Sequence, residues 1–217
     1  MIWLNKFFRH RKVDQNRWVV LDVETTGLDT RKAQLLEIAA VTLHFDPNTQ
    51  SLSIDVSDSF EAVLKQENPL QDSALNKENI LLHGIGIGVQ KSGEDPRRVL
   101  SEFEKWLGDS PIFGFHVIFD EVMIQKTFKK FLNRDLPNLW IDVEPLVART
   151  YPEVKLRYMD DWMRHLGIYC AVRHQAAADT FATAEMMMRI WPKLKASVKK
   201  VEDLDKLAKL VAKLPRY

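Results

Sequence analysis

Two carboxylates two positions apart close an apolar run near the start of the chain. Asp22 and Glu24 end residues 18–24, in which the other five residues are all apolar. On a β-strand, residues two apart point to the same face and lie about 6.6 Å apart. A strand that is apolar on both faces is typical of the centre of a sheet, where ionised acids need a counter-charge. The pattern predicts a divalent-cation site in preference to an exposed polar edge strand.

A turn follows these acids at once. Thr25, Thr26 and Gly27 succeed Glu24 directly. The glycine permits a tight turn, and backbone amides in such a turn can meet a phosphate or a sugar. Taken alone, the segment is interpreted as a plain turn after a strand.

Three further residues carry acid–base or metal chemistry later in the chain. Asp120 lies where an apolar strand gives way to a helix, a position at which a lone aspartate is most often a helix cap. His174 and Asp179 are five residues apart, about 500° of helical rotation, so they cannot share one helix face. The spacing therefore places Asp179 in the first turns of a helix, where the helix dipole favours an acid, and His174 on the preceding loop. The alanines between them leave room for a metal or a substrate.

Hydrophobic periodicity and turn signals predict the strands and helices that must position these residues. The first strand is followed by a hairpin, and later strands alternate with helices, which predicts an α/β domain with a mixed sheet. A long helix from about residue 176 is predicted to break near Pro192. The other predicted strands cover residues 36–45, 52–60, 111–115 and 139–143, and the other helices cover residues 72–82, 97–107, 119–132 and 158–166.

In order and spacing these segments resemble the DEDDh (DnaQ-like) exonucleases, a family that includes the proofreading subunit of bacterial replicative polymerase. The resemblance extends from about residue 17 to 190, and Asp142, Leu146 and Arg149 resemble a segment that the family carries before its last motif. Phe115 and His116 depart from it, because the family usually has His-Asn there. The matching segments are residues 22–28, 36–41 and 83–85, Phe119-Asp120, and His174-x-Ala176-x-x-Asp179.

The resemblance implies an RNase H-like fold with a mixed five-stranded sheet flanked by helices. It implies two divalent cations, Mg²⁺ or Mn²⁺, and release of nucleoside 5′-monophosphates from 3′ ends. Asp22 would contact both ions, Glu24 and Asp179 would complete one site, and Asp120 would help the other through water. His174 would be the general base. The residues expected near the substrate are Thr25, Thr26, Leu28, His83 and His116.

Composition and charge fit this interpretation without deciding it. The 217 residues suit one sizeable domain, the single Cys170 excludes an internal disulfide framework, and no apolar run reaches membrane-spanning length, so a cytoplasmic protein is expected. The net charge is +1, but residues 1–17 hold five basic residues against one acid, and residues 193–217 hold eight against three. Basic ends around an acidic centre suit a phosphate-bearing partner, and also suit solvated surface.

Domain limits and alternatives follow from the same features. We expect an amphipathic basic extension at residues 1–16, an exonuclease domain at residues 17–191 and a helical extension at residues 192–217. The extensions could complete the core, which is expected for the C-terminal one, or bind a polymerase or a second copy. The expected partner is a single-stranded or frayed 3′ end, with DNA preferred. The alternatives are an exoribonuclease that trims RNA or short oligonucleotides, and a catalytically silent nucleic-acid-binding module.

Overall fold

The computed structural model describes residues 13–67 and 74–213. Five strands occur in this part of the chain: β1 Arg17–Thr25, β2 Leu35–Asp46, β3 Ser51–Val63, β4 Ile112–Gly114 and β5 Trp140–Asp142. The α-helices are α1 Ala74–His83, α2 Ile87–Ser92, α3 Pro96–Leu107, α4 Ile118–Leu132, α5 Val143–Thr150, α6 Met159–Leu166, α7 Ala176–Leu194 and α8 Val201–Ala212, with a short 3₁₀ turn at Lys195–Ser197. None of these helices combines the length and apolar character needed to cross a bilayer.

The strands form one mixed sheet in the order β3-β2-β1-β4-β5. The hairpin predicted after the first strand is present, with β2 antiparallel to both β1 and β3. β4 and β5 run parallel to β1, which places β1 at the centre of the sheet. The predicted α/β fold with a mixed five-stranded sheet is confirmed.

Side chains of β1 alternate between two cores, one on each face of the sheet. Trp18 and Val20 belong to the core formed with α5, α6, α7 and α8. Val19 and Leu21 belong to the core formed with α3 and α4. Because the side-chain period of a strand is two, Asp22 and Glu24 must face the α7 side.

The last helix closes the α7 side of the sheet. α8 packs against α5 and β5, and its residues Val201, Leu204, Ala208 and Val211 are buried. As expected for the C-terminal extension, this helix packs on the core; residues 214–217 lie outside the described part of the chain. Gln15 holds its start, since the Val201 N–H donates to Gln15 Oε1 at 2.9 Å. The domain limits at residues 16/17 and 191/192 stay predictions.

The break predicted near Pro192 is present, since α7 ends at Leu194 and α8 starts at Val201. Trp191, next to this break, packs edge-on against Trp18 and donates from its indole N–H to the Gln50 carbonyl at 2.9 Å. The helix assignments differ from the prediction at α2 and α5, which were not predicted. The amphipathic stretch expected at residues 1–12, and the start of the helix expected at residues 72–82, lie outside the described residues.

Candidate active site

Asp22 and Glu24 lie near the carboxyl end of β1, on the face that packs against α7, and both side chains keep partial contact with solvent. In the sheet register Asp22 lies opposite Ala39 of β2, and Glu24 lies opposite Glu37. The register shifts directly after Glu24, where β1 gives way to the Thr25-Thr26-Gly27 turn. The two acids thus stand side by side at the end of a buried strand, as predicted.

Asp120 reaches the same end of the sheet from the first turn of α4, where it is only 4% exposed. It is not the helix cap, because Val117 occupies that position. Gly114 allows α4 to start this close to β1: a Cβ at Gly114 would lie 2.7 Å from Val117 Cγ2 and 3.3 Å from the Leu21 carbonyl oxygen. Any side chain there would push the start of α4, and Asp120 with it, away from Asp22.

Asp179 arrives on the first turn of α7, where it is 6% exposed. The neighbouring Thr180 hydroxyl donates to the Ala39 carbonyl at 3.1 Å, and Ala39 is the residue opposite Asp22 in the sheet. The buried Ala176, at the first position of the helix, allows a close approach to the sheet. The start of α7 is therefore fixed over β1 and β2 with Asp179 beside the two strand acids.

His174 precedes α7 on an exposed loop, and Asp179 follows it in the helix, which is the arrangement that the spacing predicts. The His174 backbone has φ +62°, a left-handed conformation that is uncommon for a residue other than glycine. Its N–H donates to Asp179 Oδ2 at 3.2 Å. In this unusual conformation the His174 backbone is hydrogen-bonded to Asp179, the acid that the histidine is predicted to assist.

The carboxyl groups repel one another, which shows that they share one region. Burial, then repulsion from Asp120, Asp179 and Glu24, raises the pKa of Asp22 well above its usual value. Burial, then repulsion led by Asp179, raises the pKa of Glu24 to about 8. Burial also raises the pKa of Asp120 to about 8, although backbone hydrogen bonds oppose the shift. Acids from β1, α4 and α7, separated by more than 150 positions, meet at one place.

This donor set suits a hard divalent cation, because carboxylate oxygens are the ligands that Mg²⁺ and Mn²⁺ prefer. Burial and mutual repulsion keep the pKa values of Asp22 and Glu24 raised, although the Arg173 guanidinium opposes both shifts. As the side chains stand, however, no three His, Cys, Asp or Glu residues within 13–67 and 74–213 surround one point closely enough to hold an ion. The Asp179 carboxylate instead pairs with Arg173. The residues fit the predicted ions in chemistry and charge, provided that Asp179 changes partner.

The residues predicted to contact substrate near the β1 turn differ in exposure. Thr25 and Thr26 are buried, and their hydroxyls bond within the chain: Thr25 Oγ1 donates to the Gly27 carbonyl at 2.9 Å, and Thr26 Oγ1 accepts from the Gln34 N–H at 2.9 Å. Leu28 is 86% exposed on the same turn. The threonine hydroxyls therefore shape the turn, while Leu28 is free to meet a ligand.

His83 is the last residue of α1, a helix joined to the same turn by Asn79, whose side-chain N–H donates to the Thr26 carbonyl at 2.8 Å. His83 is buried; its Nδ1 accepts from the Ile85 N–H at 3.0 Å, and its Nε2 has no hydrogen-bond partner in the part of the chain that the structure describes. Burial lowers the pKa of this imidazole. His83 thus has a buried ring nitrogen that lacks a hydrogen-bond partner among the described residues, on the helix that Asn79 joins to the turn.

His116 is exposed and again has a left-handed backbone conformation, with φ +56°. Its N–H donates to Asp142 Oδ1 at 3.0 Å, and its ring lies 4.7 Å from that of Phe115. Asp142, noted in the sequence only through the family resemblance, also caps α5 by accepting from the Glu144 N–H. The Phe-His pair thus joins the start of α4 to the end of β5.

Sequence reasoning missed several charged residues around the acids. Arg173 forms ion pairs with Asp179 and with Asp160 of α6, and no spacing rule pointed to either partner. Glu37 continues the row of acids across β2, and burial together with the neighbouring Glu61 raises its pKa to about 7. The available signal was weak: Arg173 simply adjoins His174 in the chain.

Solved structures share this fold. An Escherichia coli exonuclease I–ssDNA complex in its zinc-bound form superposes with a TM-score of 0.68 at 17% identity, over 84% of this chain and 42% of that one. Exonuclease I in complex with a dT13 oligonucleotide gives a TM-score of 0.65 at 17% identity, over 84% and 43%. At this identity the likeness establishes the fold, and the predicted RNase H-like exonuclease fold is confirmed.

The relatives in sequence are bacterial DNA polymerases III of the PolC type. DNA polymerase III PolC-type of Bacillus subtilis is 28% identical over 182 residues, and that of Clostridium perfringens is 27% identical over 188 residues. The matches cover 83% and 86% of this chain but only 12% of either relative. The profile of the RNase_T exonuclease family matches residues 19–187, a span that contains all five predicted catalytic residues. The chain therefore belongs to the RNase_T family of exonucleases.

Proposed function

We propose that this chain is a divalent-metal-dependent exonuclease that hydrolyses DNA from the 3′ end and releases nucleoside 5′-monophosphates. The observation that carries the proposal is the meeting of Asp22, Glu24, Asp120 and Asp179 at one end of the sheet, with His174 exposed beside them. The likeness to DNA polymerase III supports DNA as the substrate. A polymerase partner, a second copy and a cytoplasmic location stay predictions.

The four carboxylates would hold two Mg²⁺ or Mn²⁺ ions. When bound, such ions lower the pKa of water and neutralise charge that develops on a phosphate. Asp22, at the centre of the group, is repelled by the other three acids and is the one placed to share both ions. Asp120 and Asp179 are buried, so their carboxylates stay fixed while the more exposed Glu24 adjusts.

His174 would accept the proton of the attacking water on its imidazole ring. An imidazole exchanges protons near neutral pH, and the exposed loop leaves the ring free to reach the water. Leu28 would contact the terminal base, and the free Nε2 of His83 would bond the terminal sugar. Thr25 and Thr26 would act through backbone groups, since their hydroxyls are engaged, and His116 would contact the preceding nucleotide.

The test is degradation of 3′- and 5′-labelled single- and double-stranded DNA and RNA, with Mg²⁺, with Mn²⁺ and with EDTA. Asp22→Asn should abolish hydrolysis with the fold intact, because it removes a repelling charge. His174→Gln should slow turnover while Mn²⁺ binding persists. Asp135→Asn, in an exposed loop, and His165→Gln, on the exposed face of α6, are the matched controls and should retain activity.

Each result decides between the candidate functions. Stepwise loss from the labelled 3′ end of DNA supports the proposal, and preference for RNA would establish the exoribonuclease alternative. Absence of cleavage together with absence of Mn²⁺ binding would establish the silent module. Hydrolysis that survives Asp22→Asn in a purified sample would refute the assignment of the site.

A further inference from the structure

Arg173 lies between two acidic residues that belong to different helices. Its guanidinium pairs through Nε with Asp160 in the first turn of α6, and through Nη1 with Asp179 in the first turn of α7. The side chain is 22% exposed, and that of Asp160 is 56% exposed, so the pair with Asp179 is the more buried of the two. Arg173 is thus held at the edge of the acidic centre rather than in open solvent.

The charge of Arg173 also acts on the strand acids. The guanidinium opposes the upward pKa shifts of both Asp22 and Glu24, which their acidic neighbours and burial raise. Arginine stays protonated at any pH at which the protein is folded, and its planar fork can bond two carboxylates at once. In this structure Arg173 therefore supplies positive charge where the proposed function requires cations.

Both oxygens of Asp179 are engaged in this arrangement. Oδ2 accepts the His174 N–H at 3.2 Å, and Oδ1 faces Arg173. A cation cannot bind Oδ1 while the guanidinium covers it. Within the described ranges, no three potential ligands surround one point while Asp179 is paired in this way.

We propose that Arg173 is a positioning residue that competes with the divalent cation for Asp179; this inference rests on the proposed metal centre. When the cation binds, Arg173 leaves Asp179 and stays paired with Asp160. Asp160 is suited to retain it, because it is closer to solvent and lies outside the group of strand acids. Arg173 thereby preserves the orientation of Asp179 without metal and lowers the affinity of the centre for metal.

The test is calorimetric titration of the full chain with Mn²⁺. Arg173→Gln should bind Mn²⁺ about tenfold more tightly, the effect of removing one close opposite charge. Asp160→Asn should bind it more weakly, because the released guanidinium then has no second acceptor. Asp160→Asn should have no effect in the Arg173→Gln background. Arg164→Gln is the control, since Arg164 is an exposed arginine of α6 that pairs with Asp161.

The signs of these effects separate competition from a structural role. If Arg173 only supports the fold, both substitutions should weaken Mn²⁺ binding, and that result would overturn the inference. Arg173→Lys keeps the charge but cannot bridge both acids, so it should bind more tightly than wild type and less tightly than Arg173→Gln; a fold-preserving change thus tests the same point. If wild type binds Mn²⁺ and Arg173→Gln binds it no better, the inference alone fails. If no variant binds Mn²⁺, the proposed function fails and the inference with it.

Discussion

Replacing Glu24 by glutamine should stabilise the metal-free protein at pH 8 and leave its stability at pH 5 nearly unchanged. Glutamine has the shape of glutamate but cannot ionise. The pKa of Glu24 rises from 4.5 to about 8, through burial first and then through repulsion from Asp179, Glu37 and Asp120. Ionised Glu24 is therefore a cost to the folded state that the variant removes.

The size and sign of the effect follow from linkage between protonation and folding. Because the folded-state pKa is raised, the folded protein binds the proton more tightly than the unfolded chain does. The contribution of protonated Glu24 to the free energy of unfolding is fully present below pH 4.5 and is lost as the pH rises through about 8. If the whole pKa shift acted on stability, ionisation of Glu24 would lower the free energy of unfolding by roughly 4 kcal/mol at pH 8 and by less than about 1 kcal/mol at pH 5. Since Glu24 retains some solvent contact, we expect Glu24→Gln to raise the free energy of unfolding by about 1–2 kcal/mol at pH 8.

The assay is urea unfolding in EDTA at both pH values, for wild type, Glu24→Gln and Glu78→Gln. Glu78 is exposed on α1, and its variant is the matched control for replacing a glutamate by glutamine. A Glu24→Gln protein that gains no stability at pH 8, or gains as much at pH 5, would show that the strand acids do not repel one another as inferred.

Three further predictions concern the elements that position the acids. Leu204→Ala should lower the free energy of unfolding by about 3 kcal/mol, because Leu204 of α8 is fully buried; a smaller loss in urea unfolding than for an exposed leucine would contradict the role of α8 in the core. Gly114→Ala should lower the free energy of unfolding by about 1–3 kcal/mol and reduce DNA cleavage, since the added Cβ would clash with Val117. Thr180→Val should lower the free energy of unfolding by about 1 kcal/mol by removing the bond from the Thr180 hydroxyl to the Ala39 carbonyl, and hydrogen exchange should increase at the start of α7.

The central part of the fold could be predicted because its signals are local. The apolar run before Asp22 and Glu24 identifies a central strand, and the spacing of His174 and Asp179 places one on a loop and the other on a helix, as the structure confirms. The helix predicted at residues 97–107 also has a local start signal, since Asp95 caps α3 by accepting hydrogen bonds from two backbone N–H groups.

Features that depend on distant contacts were not predictable. Asp142 caps α5, and Pro145 follows in its first turn, but the short apolar segment before them masked this signal. Trp191 packs against Trp18 and bonds the Gln50 carbonyl, residues more than 140 positions away, and no local pattern pointed to these contacts. Arg173 finds its two partners only after α6 and α7 have packed, so its place beside the acids has no signature in the chain.

The bond between Gln15 and Val201 joins positions 186 residues apart. A linker that replaces residues 1–14 and 213–217 and joins Ala212 to Gln15 would run back along the 12 residues of α8, about 18 Å, which takes roughly six to eight residues. New termini could then be cut in the exposed turn at residues 47–50, between β2 and β3. Such a circular permutant would keep every strand neighbour of β1, while β3 would be synthesised first and β2 last.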